Sequence, residues 1–413
     1  MIKFEKFELD NGLKVIVHQD KTTPIVAVNI VYNVGARNEF PNKTGFAHLF
    51  EHLMFGGSIN IPNYDAPLQI VGGENNAFTN NDITNYYLTL PKENIETGFW
   101  LESDRMLSLA FSEKSLEVQR SVVIEEFKQR YLNQPYGDVY LLLRPLAYKV
   151  HPYQWATIGK EISHIENATM QDVKDFFYSH YAPNNAVLSV VGNITAKEIK
   201  PLVEKYFGNI EQRKIAESNI PKEPKQTKPR TLTVKRDVPN DTIYKAYHMC
   251  NRLDKDYHAS DLLSDVLSNG DSSRLTRKLI KEQKLFIELS AYIMGSRDEG
   301  LFIISGKPND GVDIKDAEKA IEKEIKILFD KGIEEQELQK VKNKVEASLI
   351  FAQMNILNKA MNLGISEMLN DANDINTETD KYLKVKPDDV MRVAKEILNP
   401  NNCSTLYYLS EKK

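Results

Sequence analysis

Residues 48–52 read His-Leu-Phe-Glu-His. On a helix, positions four apart lie nearly above one another, so His48 and His52 bring two imidazoles to one point. Glu51, three residues after the first histidine, projects close to that point. Two neutral imidazoles at this spacing suit zinc, and a carboxylate beside them that is not itself a ligand can take a proton from water activated by the metal. With 8 His among 413 residues, chance gives at most about 0.02 such patterns per chain.

A catalytic zinc needs a third protein ligand and one open position. The other histidines (18, 151, 164, 180, 248 and 258) show no paired spacing. The stretch Ser115–Leu132, SLEVQRSVVIEEFKQRYL, reads as a helix with two adjacent carboxylates. Taking Leu116 as zero, Val123, Phe127 and Tyr131 fall at about −20°, 20° and 60° and define an inward stripe. Glu125 lies at about 180°, facing solvent, whereas Glu126 lies at about −80°, at the edge of the stripe with Gln119. Glu126 is therefore the expected third ligand.

These helices need a frame. Phe4 to His18 reads as a hairpin turning at Asp10-Asn11-Gly12, Ile25 to Val34 as an apolar strand, and Ala77 to Leu90 as a second hairpin turning at Asn80-Asn81-Asp82. The motif helix should run from Gly45 to Phe55, capped by Thr44 and closed by Gly56-Gly57. A further helix is expected near Glu93–Ala110. Strands and helices interleave without strict βαβ regularity, which favours an α+β fold with mixed or antiparallel sheets.

The chain also repeats itself. Asp172-Val173 and Pro183-Asn184-Asn185 before AVLSVV recur as Asp389-Val390 and Pro400-Asn401-Asn402 before CSTLYYL, all at an offset of 217 residues. Both copies read as helix, turn and closing strand, which predicts two homologous halves. A Lys-, Pro- and Glu-rich stretch marks an exposed linker at 213–228, leaving a metal-bearing half, 1–212, and a half without the motif, 229–413.

Composition removes other classes. Hydrophobic residues are 41% and charged residues 27%, with net charge −5, an ordinary globular balance without a basic footprint for nucleic acid. No apolar run is long enough to span a bilayer, and no G-x-x-x-x-G-K-[ST] motif provides for nucleotide-driven chemistry. The N-terminus lacks a basic-then-apolar leader, so the expectation is a cytoplasmic chain, or one whose leader has been trimmed for a periplasmic location. Cys250 and Cys403 are too few and too far apart for a disulfide framework and read as free thiols.

The segments GFAHLFEHLMFGGS, NNAFTNNDITNYY, QRSVVIEEFKQRYLNQPYG, HPYQWATIGK and YAPNNAVLSVVGN resemble the pitrilysin–insulinase, or inverzincin, family of zinc metallopeptidases. The likeness is greatest to its roughly 400-residue branch of processing-peptidase-like subunits and covers nearly the whole chain. The resemblance implies one Zn²⁺ held by His48, His52 and Glu126, with Glu51 as general base. It implies that a peptide substrate adds as a strand at Asn76, Ala77 and Thr79. Gln119 stands where many relatives carry a supporting glutamate. Anchored on Ser272-Ser273-Arg274-Leu275, the positions of the family's Arg/Tyr pair hold Ile280 and Ile287; Arg277, Lys281 and Tyr292 offer a shifted alternative. The implied function is a zinc metalloendopeptidase subunit acting on short or unfolded peptides. A homologous partner would supply the missing pair in a heterodimer, the alternatives being a homodimeric oligopeptidase or a non-catalytic structural subunit.

Overall fold

Patterned apolar segments become strands close to where the sequence places them. The structure, a computed structural model, describes residues 1–216 and 219–411, so residues 217–218 of the expected linker lie outside it. β1 (Glu5–Glu8) and β2 (Lys14–Gln19) make the first hairpin, and Gly12, at φ 81°, supplies the left-handed residue of its turn. β3 (Ile25–Tyr32) is buried from its second residue onward, as a continuous apolar run requires. β4 (Glu74–Thr79) and β5 (Thr84–Pro91) form the second hairpin, and β6 (Ala186–Gly192) closes the first sheet in the order β1-β2-β6-β3-β5-β4. A second sheet contains β7 (Arg230–Arg236), β8 (Thr242–Met249), β9 (Phe286–Met294), β10 (Gly300–Pro308) and β11 (Cys403–Ser410), in the order β7-β11-β8-β10-β9.

The two sheets share one pairing scheme. β2 runs parallel to β6 as β7 does to β11. From there the series β6-β3-β5-β4 and β11-β8-β10-β9 are antiparallel throughout. The sequence echo has a matching physical basis. Asp172 and Asp389 each accept the amide three residues earlier, at 3.0 Å, at the start of helices Met170–His180 and Pro387–Ile397. The Asn185 side chain then donates to the His180 carbonyl at 2.8 Å, and Asn402 repeats this with Ile397 at 2.9 Å. The fold is α+β with two mixed sheets, as expected.

The compact units do not follow a simple cut at the linker. One unit comprises Met1–Lys128, Trp155–Ile220 and Ile350–Thr377; the other comprises Gln129–Gln154, Pro221–Leu349 and Glu378–Lys413. In the first unit, helix Ile356–Leu369 lies on β3 and β6, placing Ala360 and Leu363 in a core with Ala27, Val31 and Val191. In the second, helix Val139–Ala147 lies on β8 and β11, burying Val139 and Leu143 with Ile303 and Leu406. Each helix covers a sheet belonging to the other half of the sequence, because a sheet apolar on both faces needs two covering layers. The linker is also less free than its composition suggests. Glu223 is buried and accepts the amides of Lys149, Val150 and His151 at 2.8–3.0 Å, and Gln226 donates to the Cys403 carbonyl at 2.8 Å.

Cys403 is buried and Cys250 half-buried, and both are free thiols. Among the described residues no helix is long and apolar enough to cross a membrane. Leu363 is fully buried in the covering layer of the first sheet. Leu363→Ala should therefore destabilise the first unit by about 2–5 kcal/mol, seen as a shift of its urea transition to lower denaturant.

Candidate metal centre

The motif helix spans Phe46–Leu53 and buries Phe46, Ala47, Leu49, Phe50 and Leu53, leaving His48, Glu51 and His52 on the remaining face. Its position is fixed from several sides. The Phe50 ring packs 5.0 Å from Phe176 and 5.1 Å from Tyr181. From β5, the Tyr86 hydroxyl donates to the Phe50 carbonyl at 3.2 Å. The expected Thr44 cap is not made. The cap position is Gly45, in the left-handed region at φ 88°, and the first amides are met by Glu39. Thr44 turns instead to the His164 ring at 2.8 Å, and its hydroxyl accepts the Lys160 amide at 2.8 Å.

The helix that bears Glu126, Glu113–Phe127, is capped by Ser112, whose hydroxyl accepts the Ser115 amide at 3.4 Å. Ser115 in turn donates to the Gly56 carbonyl at 3.1 Å, locking this helix to the turn after the motif helix. A Cβ on Gly56 would lie 2.3 Å from that hydroxyl oxygen, so a side chain there would have to push the Ser115 hydroxyl out of this contact. Leu116, Val123 and Phe127 are buried as the helical wheel requires. Tyr131 is only half-buried, because the helix widens into a π turn over Lys128–Leu132 and the 100° step no longer applies. Glu125 faces solvent and pairs with Lys128 at 2.7 Å.

Glu126 faces the histidines. Its carboxylate oxygen Oε2 lies 3.6 Å from His48 Nε2 and 3.4 Å from His52 Nε2, and the two Nε2 atoms are 3.4 Å apart. Three N or O ligands held about 2.0–2.2 Å from a tetrahedral zinc are separated by about 3.3–3.6 Å. The residues fit the ion. The imidazole planes are perpendicular, and the side chains of His48, His52 and Glu126 retain 12%, 24% and 18% exposure, consistent with a site that keeps an open side. Among the described residues this is the one cluster of three potential ligands. The other histidines are engaged elsewhere, for example His18 with the Lys3 carbonyl, His151 with Asp298 and His258 with Glu378.

Glu51 stands beside the triangle. Burial raises its pKa; the polar Thr79 and the neighbouring His52 offset part of that effect, while Glu126 adds to it. Thr79 belongs to β4, which lies at the sheet edge and, among the described residues, pairs only with β5. The expected substrate residues Asn76, Ala77 and Thr79 therefore share one edge strand, and the motif helix packs on it. The Ala77 amide is taken at 2.8 Å by the Asn76 side-chain oxygen, which protects the edge as native sheets commonly do. Gln119 is half-buried, two turns before Glu126 on the same helix.

In the second unit Ile280 packs against the core and Ile287 is exposed at the start of β9. Of the shifted candidates, Tyr292 shares a hydroxyl–hydroxyl hydrogen bond with Tyr140, Lys281 pairs with Asp271 at 3.1 Å and Arg277 with Glu282 at 3.8 Å.

Sequence reasoning missed Glu39, which carries no local pattern. It also missed the buried Arg105–Glu102 pair, for which ESDR on an apolar helix was the available signal. The Arg105 guanidinium lies 4.3, 4.6 and 5.1 Å from the ring centres of Tyr86, Tyr64 and Phe55, supporting the turn that follows the motif helix.

Comparison with known proteins now decides the family. The model "Insulinase (Peptidase family M16)" matches residues 14–153, and "Peptidase M16 inactive domain" matches 167–345. Zinc protease PqqE of Helicobacter pylori is 33% identical, over 98% of this chain and 92% of its own. This chain belongs to the insulinase family of peptidases. The crystal structure of a protease from Helicobacter pylori superposes with a TM-score of 0.92 at 31% identity, covering 99% of this chain and 100% of that one. The probable mitochondrial-processing peptidase subunit beta of Schizosaccharomyces pombe is 26% identical over 73% of this chain and 68% of its own. All four motif residues, His48, Glu51, His52 and Glu126, fall in the insulinase match, and the inactive-domain match contains none of them.

Zinc binding should stabilise the folded chain by about 2.7 kcal/mol at a free-ion concentration one hundred times the Kd. A zinc titration followed by thermal denaturation should raise Tm for the wild type and leave it unchanged for His52→Ala.

Proposed function

We infer that this insulinase-family chain is a zinc-dependent metalloendopeptidase subunit hydrolysing short or unfolded peptides. The observation that carries the reading is the 3.4–3.6 Å triangle of His48, His52 and Glu126, with Glu51 next to it. One zinc ion held there would supply Lewis acidity for the scissile carbonyl and a lowered pKa for the attacking water. The histidines and Glu126 hold the ligand geometry. Glu51 accepts the proton of the water and returns it to the leaving nitrogen. The β4 edge would carry the extended peptide through main-chain hydrogen bonds at Asn76, Ala77 and Thr79, the Ala77 amide exchanging its Asn76 side-chain partner for the peptide. Gln119 would tune the site from the helix that bears Glu126, orienting its neighbours without adding charge.

The reading extends to assembly. The family's Arg/Tyr positions are apolar here, at Ile280 and Ile287, and neither can donate to a developing oxyanion. A homologous partner subunit supplies that function in the proposed heterodimer. The relative named as subunit beta of a mitochondrial-processing peptidase gives the idea a precedent. On this division the metal-bearing half is 1–212, the connector 213–228 and the half without the motif 229–413. A non-catalytic scaffold is disfavoured because His48, Glu51, His52 and Glu126 are all present and His48, His52 and Glu126 are grouped.

Two measurements test the proposal. Glu51→Gln should retain stoichiometric zinc while peptide turnover falls by about 10²–10⁴-fold; undiminished turnover removes Glu51 from the mechanism. The isolated, zinc-loaded chain should cleave unfolded peptides poorly and gain activity when a homologous subunit is co-purified. Full turnover by the isolated chain would overturn the partner requirement alone.

A further inference from the structure

Between β3 and the motif helix the chain forms a short strap, Gly35–Glu39, whose contacts lie within the first unit. The Ala36 and Arg37 amides donate to the carbonyls of Asn80 and Asn81 at 3.1 and 2.9 Å, fastening the strap to the turn of the β4–β5 hairpin. A Cβ on Gly35 would come within 2.6 Å of that turn's backbone. From the other side, the Trp155 indole donates to the Ala36 carbonyl at 2.9 Å. The strap ends at Glu39, which is 6% exposed. One carboxylate oxygen accepts the Gly45 amide at 2.9 Å and the other accepts the Ala47 amide at 2.8 Å.

A buried carboxylate is costly to place, and burial pushes this one up to about 8 even against its amide hydrogen bonds. A serine or threonine at the cap would meet the ordinary need of a helix start more cheaply. What Glu39 adds is reach and two-point attachment. The motif helix has only eight residues, about two turns, which is too short to hold its own shape in water. Its cap residue is a glycine without a side chain. The second amide that Glu39 holds belongs to the residue immediately before His48. Fraying of that first turn would move His48 relative to His52, whose alignment depends on true helical geometry between them.

We propose that Glu39 is a positioning residue for the metal centre: its two-point grip on the first turn of the motif helix sets His48 in register with His52 and Glu126. The proposal rests on the zinc reading above. It also gives the metal helix and the substrate-edge hairpin a common anchor, because the strap that carries Glu39 is bonded to the Asn80-Asn81 turn.

Glu39→Gln is the discriminating variant. It keeps volume and shape, but the amide has one acceptor oxygen and presents donors to the second backbone N–H. Chelator competition should show zinc affinity about 10–100-fold weaker than wild type. The cobalt(II)-loaded variant should show an altered visible absorption spectrum, since that spectrum reports ligand geometry. If Glu39 serves only to stabilise the fold, Tm falls while zinc affinity and the cobalt spectrum at a temperature well below Tm match wild type; that result overturns the proposal. Should Glu39→Gln fail to fold, Trp155→Phe keeps a buried ring and removes the strap's indole hydrogen bond. A weaker zinc affinity in that variant supports the proposal, and an unchanged one overturns it. A wild-type chain that takes up no zinc would overturn the metal reading itself, whereas normal wild-type loading with an unaffected Glu39→Gln removes only the positioning role.

Discussion

Two imidazole nitrogens and a carboxylate oxygen converge to within 3.4–3.6 Å of one another. Three such groups this close are held together favourably when a proton or a cation lies between them. The surrounding structure must hold the groups in that arrangement. Phe50 stacking, the Tyr86 hydroxyl, the Ser115–Gly56 lock and the Glu39 carboxylate each constrain one of the two helices involved. They make the ligand geometry a property of the fold, which is how a site becomes preorganised.

Much of this could be read from the residues. The i, i+4 histidines, the choice of Glu126 over Glu125 and the hairpins around Gly12 and Asn80-Asn81 follow from period and turn chemistry, which are local. What escaped was non-local. Thr44 has the right chemistry for a cap, and only the folded chain shows that its hydroxyl is taken by His164 while Glu39 fills the role. The linker looked solvated because its composition is polar, yet Glu223 and Gln226 find buried partners far away in sequence. Tyr131 left the predicted stripe because the helix changes pitch, which a fixed angular step does not anticipate.

The duplicated pairing scheme shows how one architecture was put to two uses. Both sheets place a strand at an open edge, β4 in one and β9 in the other, each after an equivalent run of antiparallel neighbours. The edge of the first sheet lies against a helix bearing two histidines. The helix that packs on β9, Tyr257–Ser268, holds a single histidine, His258, already paired with Glu378. Chemistry thus resides in a few substitutions on a shared frame.

The exchange of segments has a consequence for biosynthesis. Helix Ile356–Leu369, which seals one face of β3 and β6, is made long after those strands, with most of the second unit between them. Domains that are continuous in sequence can fold one after another as they emerge from the ribosome. The first unit cannot, since one apolar face of its sheet stays uncovered until Ile356–Leu369 has been made. His48, His52 and Glu126 are thus made well before the helix that completes the frame around them.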